Sequence, residues 1–126
     1  MTLLSQQAGE YASPLAKRWL EFVQAQVPVE SVGRKPDALT WEYTHYYYAQ
    51  VIYMLGEDGY EKTFPKSLSH ERLTWSGYKK IFFEYLARTQ SADGSWTGTS
   101  FGQVYTACCY LSILQLEKGV LPFYQR

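Results

Sequence analysis

Two helix-length segments of the chain are apolar on almost every side, and they restrict the possible folds more than any other feature. They are residues 40–55, TWEYTHYYYAQVIYML, and residues 103–117, QVYTACCYLSILQLE. A helix with this pattern is stable only when several of its sides are covered. We therefore predict two interior helices, the first ended by Gly56 and the second by Gly119 and Pro122.

An amphipathic helix precedes each of these segments. The first is predicted over residues 13–26, with Ser13 as N-cap and Pro14 where its missing N–H costs nothing. The second is predicted over residues 78–90, with charged side chains opposite an apolar stripe. Residues 29–39 are predicted to form a loop, and residues 57–76 an irregular segment with a short helical turn in 68–73.

The order of amphipathic helix, loop and apolar helix thus occurs twice. Residues 21–23 match residues 84–86 at an offset of 63, and Tyr48 matches Tyr110 at an offset of 62. We predict an all-α fold in a single domain over residues 1–126. The domain would contain repeat 1 at about 13–56, repeat 2 at about 78–117 and a C-terminal tail at 118–126.

The charge balance excludes two classes of partner. Twelve Lys and Arg balance twelve Asp and Glu, and like charges do not form long runs. Nucleic acid and anionic membrane surfaces are therefore not expected partners. The opening residues MTLLSQQAGEY contain neither the basic region of a signal peptide nor an apolar run long enough to span a membrane. We expect the chain as given to be soluble, and the sequence indicates no particular compartment.

A short motif, YLARTQSADGSW, ends the second amphipathic helix. The helix is predicted to stop near Gln90, after which Asp93 and Gly94 form a turn that Trp96 closes. The Tyr-Leu pair, Gln90, Gly94 and Trp96 resemble, in type and spacing, the Gln-Trp repeat of the squalene cyclase and protein prenyltransferase superfamily. Much of the chain also resembles the C-terminal part of bacterial prenyltransferase and squalene oxidase repeat proteins, known mainly from planctomycete genomes.

This resemblance implies a fold and a structural role for the motif. In the superfamily, helical hairpins stack around an axis into an α/α toroid, with amphipathic helices outside and apolar helices inside. The chain would supply two helical hairpins of an incomplete α/α toroid, so we expect it to join the rest of a longer toroid or to self-associate. By the same resemblance, Gln90 would cap a neighbouring helix and stack on Trp96.

The catalytic groups of these families are not found in the sequence. Squalene-hopene cyclases use an Asp-x-Asp-Asp motif, which does not occur here. The zinc set of a prenyltransferase requires an Asp two residues before a Cys and a downstream His, but Thr106 and Ala107 precede Cys108 and Cys109, and both histidines lie upstream. We interpret the cysteines as small buried hydrophobes. We expect this chain to contain no catalytic residue, metal or cofactor.

The apolar helix at residues 40–55 carries the candidate ligand-binding residues. Tyr43, Tyr46, Tyr47, Gln50 and Tyr53 follow one side of it at helical spacing, and in a toroid this side would border the central cavity. Cyclases line that cavity with aromatic rings, which stabilise carbocations. An apolar, isoprenoid-like ligand is the corresponding prediction. The alternative interpretation is that these rings only pack against neighbouring helices.

Two functions are consistent with these observations. We expect a non-catalytic prenyltransferase/squalene cyclase-like repeat module for binding or assembly. The alternative is the closing segment of a terpenoid cyclase-like enzyme whose catalytic acid lies outside this chain.

Overall fold

The chain folds into α-helices, as predicted. The structure is a computed structural model, and it describes residues 13–28, 41–97 and 101–119. Two short 3-10 turns, Ser69–Glu71 and Leu116–Lys118, accompany the α-helices, and the described residues contain no β-strand. The α-helices are α1 Pro14–Gln26, α2 Trp41–Leu55, α3 Gly59–Thr63, α4 Trp75–Thr89 and α5 Gln103–Leu114.

Local signals determine most helix ends. The Ser13 hydroxyl accepts a 3.1 Å hydrogen bond from the Ala16 N–H, which satisfies one of the free donors at the start of α1. Gly56 and Gly119 follow α2 and the last 3-10 turn with φ values of 74° and 59°, a left-handed conformation that glycine adopts without strain. These three positions agree with the sequence predictions.

The middle of the chain is more ordered than predicted. Residues 59–63, expected to be irregular, form α3, in which the Thr63 hydroxyl donates to the Gly59 carbonyl and Tyr60 is buried. α4 begins three residues earlier than predicted because the Thr74 side chain caps it, accepting from the Gly77 N–H at 3.2 Å. α5 ends earlier than predicted, at Leu114. The 3-10 turn Leu116–Lys118 follows it.

α4 runs antiparallel to both α2 and α5. Residue numbers rise along α2 and fall along α4 through three ring pairs: Trp41–Tyr85, His45–Phe82 and Tyr53–Trp75. Two further contacts show that α4 is antiparallel to α5 as well. Phe82 packs on Tyr110, and the Trp75 indole donates to Glu117 in the 3-10 turn that follows α5. It follows that α2 and α5 are parallel neighbours on one side of α4.

α2 is the most deeply covered helix, as predicted, whereas α5 is not interior on all sides. Nine of the fifteen residues of α2 are buried, but only four of the twelve in α5. The side chains of Val104 and Leu111 on α5 are 80% and 48% exposed. The prediction of an interior α5 is therefore wrong for its outer side, because this helix packs mainly against α2.

The two predicted repeats differ in burial. Tyr48 and Tyr110, matched at the offset of 62, are both 2% exposed. Phe22 and Tyr85, matched at the offset of 63, are 66% and 8% exposed. The matched tyrosines of the two apolar helices are therefore equally buried. The matched residues of the two amphipathic helices are not.

Candidate functional site

An open groove of about 370 Å³ runs between the parallel helices α2 and α5. We call it the aromatic groove, because four of its seven lining residues are tyrosines. The remaining three are small side chains of α5. The lining residues are Tyr43, Tyr46 and Tyr47 from α2, and Tyr105, Cys108, Cys109 and Ser112 from α5. None of the seven is an Asp, Glu, Lys, Arg or His.

The α2 wall is a cluster of three rings in edge-to-face contact. The ring centroids are 4.9 Å apart for Tyr43 and Tyr47, and 5.0 Å apart for Tyr46 and Tyr47. A side-chain hydrogen bond with Tyr43 raises the pKa of Tyr47 above its ordinary value, so its phenol stays neutral. The Tyr43 and Tyr47 side chains remain 50% and 44% exposed, which leaves ring surface available to a ligand.

The α5 wall presents a tyrosine and two thiols. Cys108 is exposed and Cys109 is buried, so the prediction of two buried cysteines is wrong for Cys108. Desolvation, together with a hydrogen bond to the Cys109 thiol, raises the pKa of Tyr105 to about 12. Desolvation also raises the pKa of Cys109, so its thiol is a weak nucleophile at neutral pH. The Ser112 hydroxyl donates to the Cys108 carbonyl at 2.8 Å. The groove is thus suited to apolar contact rather than to proton transfer.

Three of the five predicted cavity residues, Tyr43, Tyr46 and Tyr47, come together in this groove. The other two lie elsewhere. The Gln50 side chain is 3% exposed and donates a 2.6 Å hydrogen bond to the Tyr46 carbonyl, one turn back in the same helix. Tyr53 packs edge-on against Trp75 of α4, with 5.3 Å between the ring centroids.

The α5 residues of the groove were not predicted to contact a ligand. Tyr105, Cys108, Cys109 and Ser112 approach α2 only because the two helices are parallel neighbours. An available signal was the helical spacing of Tyr105, Cys108 and Ser112, which places the three side chains on one side of α5.

Buried polar side chains lie on the inner sides of α2 and α5. Glu42 is 1% exposed and Thr106 is fully buried, with the Thr106 hydroxyl 3.4 Å from a Glu42 carboxylate oxygen. The burial of Glu42 was not predicted, although an acidic residue in an otherwise apolar helix is a signal for such a position. Glu42 is not among the residues that line the aromatic groove.

The fully buried His45 is neutral. Its Nδ1 lies 2.8 Å from the Tyr78 hydroxyl, and its ring centroid lies 3.8 Å from that of Trp41. Burial lowers the pKa of His45 to about 3, because a charged imidazole would lose its hydration there. His45 is therefore an interior histidine.

Residues 90–96 form a closed turn at the end of α4. The Ser91 N–H bonds to the Ser95 carbonyl at 2.8 Å, and the Gln90 side-chain amide donates to the Gly94 carbonyl at 2.9 Å. Asp93 accepts from the backbone N–H and the hydroxyl of Ser95, and these bonds lower the pKa of the Asp93 carboxyl. The hydrogen bond of the Gln90 amide is thus made within its own turn.

Trp96 connects this turn to two helices. Its indole N–H donates to the Leu86 carbonyl of α4 at 2.9 Å, and its ring packs edge-on against Tyr110 of α5, with 5.5 Å between centroids. The side chain is 5% exposed. Trp96 therefore connects the turn after α4 to α5.

Neither a metal-binding cluster nor a membrane-spanning helix occurs in the part of the chain that the structure describes. Among them, His, Cys, Asp and Glu side chains form no group of three or more that could hold a metal ion. None of the helices that the structure describes combines the length and the apolar character needed to cross a membrane.

Comparison of the chain with protein-family models, with curated proteins and with solved structures returned no significant match.

Proposed function

We propose that the chain is a non-catalytic prenyltransferase/squalene cyclase-like repeat module that binds an elongated apolar ligand, such as an isoprenoid chain, in the aromatic groove. The aromatic groove itself carries this proposal. It combines four tyrosine rings with two thiols, and its lining contains no charged group that would have to be desolvated by an apolar ligand.

The ring arrangement suits a hydrocarbon. Tyr43 and Tyr47 are about half exposed and already held edge-to-face, so little side-chain freedom is lost when a ligand binds. An apolar chain lying between them and Tyr105 would gain roughly 25 cal/mol of binding free energy for each Å² of apolar surface that it buries. A hydroxyl or ether of such a ligand could accept a hydrogen bond from a tyrosine at the edge.

The groove lining supports a binding role rather than catalysis. Cyclisation of a polyene starts with a proton from an acid that touches the substrate. Glu42, the buried acid of α2, lies beside Thr106 and is not a lining residue of the groove. An acid supplied from outside this chain would turn the same aromatic surface into part of a cyclase cavity, which is the alternative function.

A binding titration tests the proposal. We would titrate the purified chain with farnesol and with squalene carried by cyclodextrin, and follow the binding by calorimetry. Tyr47→Ala and Tyr105→Ala should each weaken binding about tenfold, the loss expected for about 1.4 kcal/mol of ring contact. Phe22→Ala, which removes a ring that is 66% exposed on α1, is the matched control and should bind normally.

Product analysis separates the two functions. The same ligands and farnesyl diphosphate would be incubated with the chain and analysed by mass spectrometry. Recovery of unchanged ligand supports the module. Turnover that persists after further purification, and that Tyr47→Ala reduces, would overturn it in favour of an enzyme.

A further inference from the structure

The aromatic groove contains hydrogen-bonding groups as well as ring surface. On α2, the hydroxyls of Tyr43 and Tyr47 are hydrogen-bonded to each other, and we call these two residues the phenol pair. On α5, the Tyr105 hydroxyl bonds to the Cys109 thiol. Desolvation and this bond raise the pKa of Tyr105 most, and the nearby phenol pair adds to the effect, so polar groups of both walls lie close together.

The phenol pair has one more O–H donor than its internal bond uses. A phenol has a single O–H and an oxygen that can also accept. Tyr43 and Tyr47 therefore have two donors, of which the bond between them uses one. Neither hydroxyl makes a further hydrogen bond within the described parts of the chain. Because both side chains are about half exposed, water satisfies the remaining donor in the free protein.

An apolar ligand lying on the phenol pair would displace that water. A pure hydrocarbon would leave the remaining O–H covered and without an acceptor, and a polar group left in this state costs free energy. A ligand with an oxygen at the same place would accept the hydrogen bond in place of the water. The groove therefore distinguishes between apolar ligands by whether they carry an acceptor.

We propose that the aromatic groove selects short apolar ligands that carry one neutral acceptor oxygen, such as a ketone or an ether, and that the phenol pair donates a hydrogen bond to this oxygen. The proposal deepens the proposed function and rests on it, because it names the class of apolar ligand that the same groove takes. Tyr43 and Tyr47 become its specificity-determining residues.

The charges around the groove disfavour an anionic ligand. Its lining contains no Lys, Arg or His. Glu42 is buried on the inner side of α2. Desolvation is the main cause of the raised pKa of Cys109, and the negative charge of Glu42 adds to it, so this charge acts on the groove lining. A phosphate or carboxylate would therefore lose hydration without gaining a cation.

The groove is also short. Its α5 lining extends from Tyr105 to Ser112, which corresponds to about 10 Å along the helix axis. Its volume of about 370 Å³ lies near the lower end of the range for small-molecule sites, roughly 300–1,000 Å³. These dimensions suit one small branched chain better than a long polyisoprenoid.

The test compares geranylacetone, a short branched ketone, with the hydrocarbon in which a methylene group replaces its oxygen. Each would be titrated into the full chain, carried by cyclodextrin, and binding would be followed by calorimetry. The ketone should bind about tenfold more tightly than the hydrocarbon, since only the ketone satisfies the remaining O–H. Farnesyl diphosphate, titrated in the same way, should bind more weakly than the ketone.

Phenylalanine variants identify the donor. The double variant Tyr43→Phe/Tyr47→Phe keeps both rings and removes both hydroxyls, so the ketone should lose its tenfold advantage while the hydrocarbon still binds. Tyr105→Phe removes one hydroxyl from the opposite wall and is the matched control, which should keep the preference for the ketone. Unchanged far-UV circular dichroism spectra would show that the variants are folded.

The possible results separate this proposal from the proposed function. Equal binding of ketone and hydrocarbon by the parent chain would overturn the selectivity and leave the proposed function standing. If neither ligand bound, both proposals would fail. A preference that survives in the double variant, or that disappears in Tyr105→Phe, would overturn the role of the phenol pair. Tighter binding of farnesyl diphosphate than of the ketone would overturn the neutral ligand class.

Discussion

The indole N–H of Trp96 donates a 2.9 Å hydrogen bond to the main-chain carbonyl of Leu86 in the last turn of α4. The Leu86 carbonyl also accepts the N–H of Gln90, the C-cap residue, so it has two donors at the end of the helix. Since the Trp96 ring also packs on Tyr110 of α5, one side chain both ends a helix and attaches it to the next one. The Asp-Gly turn places the tryptophan where it can do this.

Trp96→Phe should destabilise the chain more than Trp41→Phe. Both changes replace a buried indole by a smaller ring, but only Trp96 loses a hydrogen bond, since the Trp41 Nε1 has no hydrogen-bond partner within the described parts of the chain. The difference in the free energy of unfolding should be about 1 kcal/mol, the net contribution of one hydrogen bond, because the Leu86 carbonyl keeps its bond from the Gln90 N–H. Urea denaturation of the two variants measures it. Equal losses would show that the bond does not stabilise the turn.

Gly94→Ala should cost about 1 kcal/mol of stability, and Gly94→Asn less. Gly94 has a φ of 85°, and a Cβ added there would meet nothing within 4 Å, so the cost comes from backbone conformation alone. Asn adopts positive φ more readily than Ala does. Thermal unfolding of the three proteins should rank them Gly, Asn, Ala. A variant with Ala that is as stable as the parent would contradict the turn geometry.

Stability should fall as the pH decreases from about 6.5 towards 3, because of His45. Burial lowers its folded-state pKa from 6.5 to about 3, so between these values the unfolded chain binds a proton that the folded chain does not. The stabilisation that comes from the neutral His45 is complete above pH 6.5. Below that pH the free energy of unfolding falls by up to about 1.4 kcal/mol per pH unit. His45→Gln should remove this part of the slope in urea titrations at several pH values. His70→Gln, at an exposed histidine, is the control.

The two adjacent thiols should react at very different rates. Cys108 is exposed, whereas Cys109 is buried and desolvation raises the pKa of its thiol. Ellman's reagent should therefore modify one thiol per native chain quickly and the second only after unfolding. Cys108→Ser should remove the fast phase and Cys109→Ser the slow one. Two fast phases in the native protein would show that Cys109 is accessible.

Local features of the sequence determined where the helices lie. Ser13 with Pro14 and the stops at Gly56 and Gly119 act within a few residues of their own positions, so the start of α1 and the end of α2 could be predicted without knowledge of packing. The start of α4 was missed because Thr74 caps it three residues before the apolar stripe suggested. The all-α class follows from the same local signals.

Tertiary structure alone decided which sides of those helices are covered. Glu42 and Thr106, 64 positions apart, share one buried site only because α2 and α5 are parallel neighbours. The same arrangement joins Tyr43, Tyr46 and Tyr47 to Tyr105 in one groove and leaves Val104 exposed on a helix that periodicity predicted to be interior. Hydrophobic periodicity records that a side chain is apolar, but burial depends on whether a distant segment packs against it, and that information is not local.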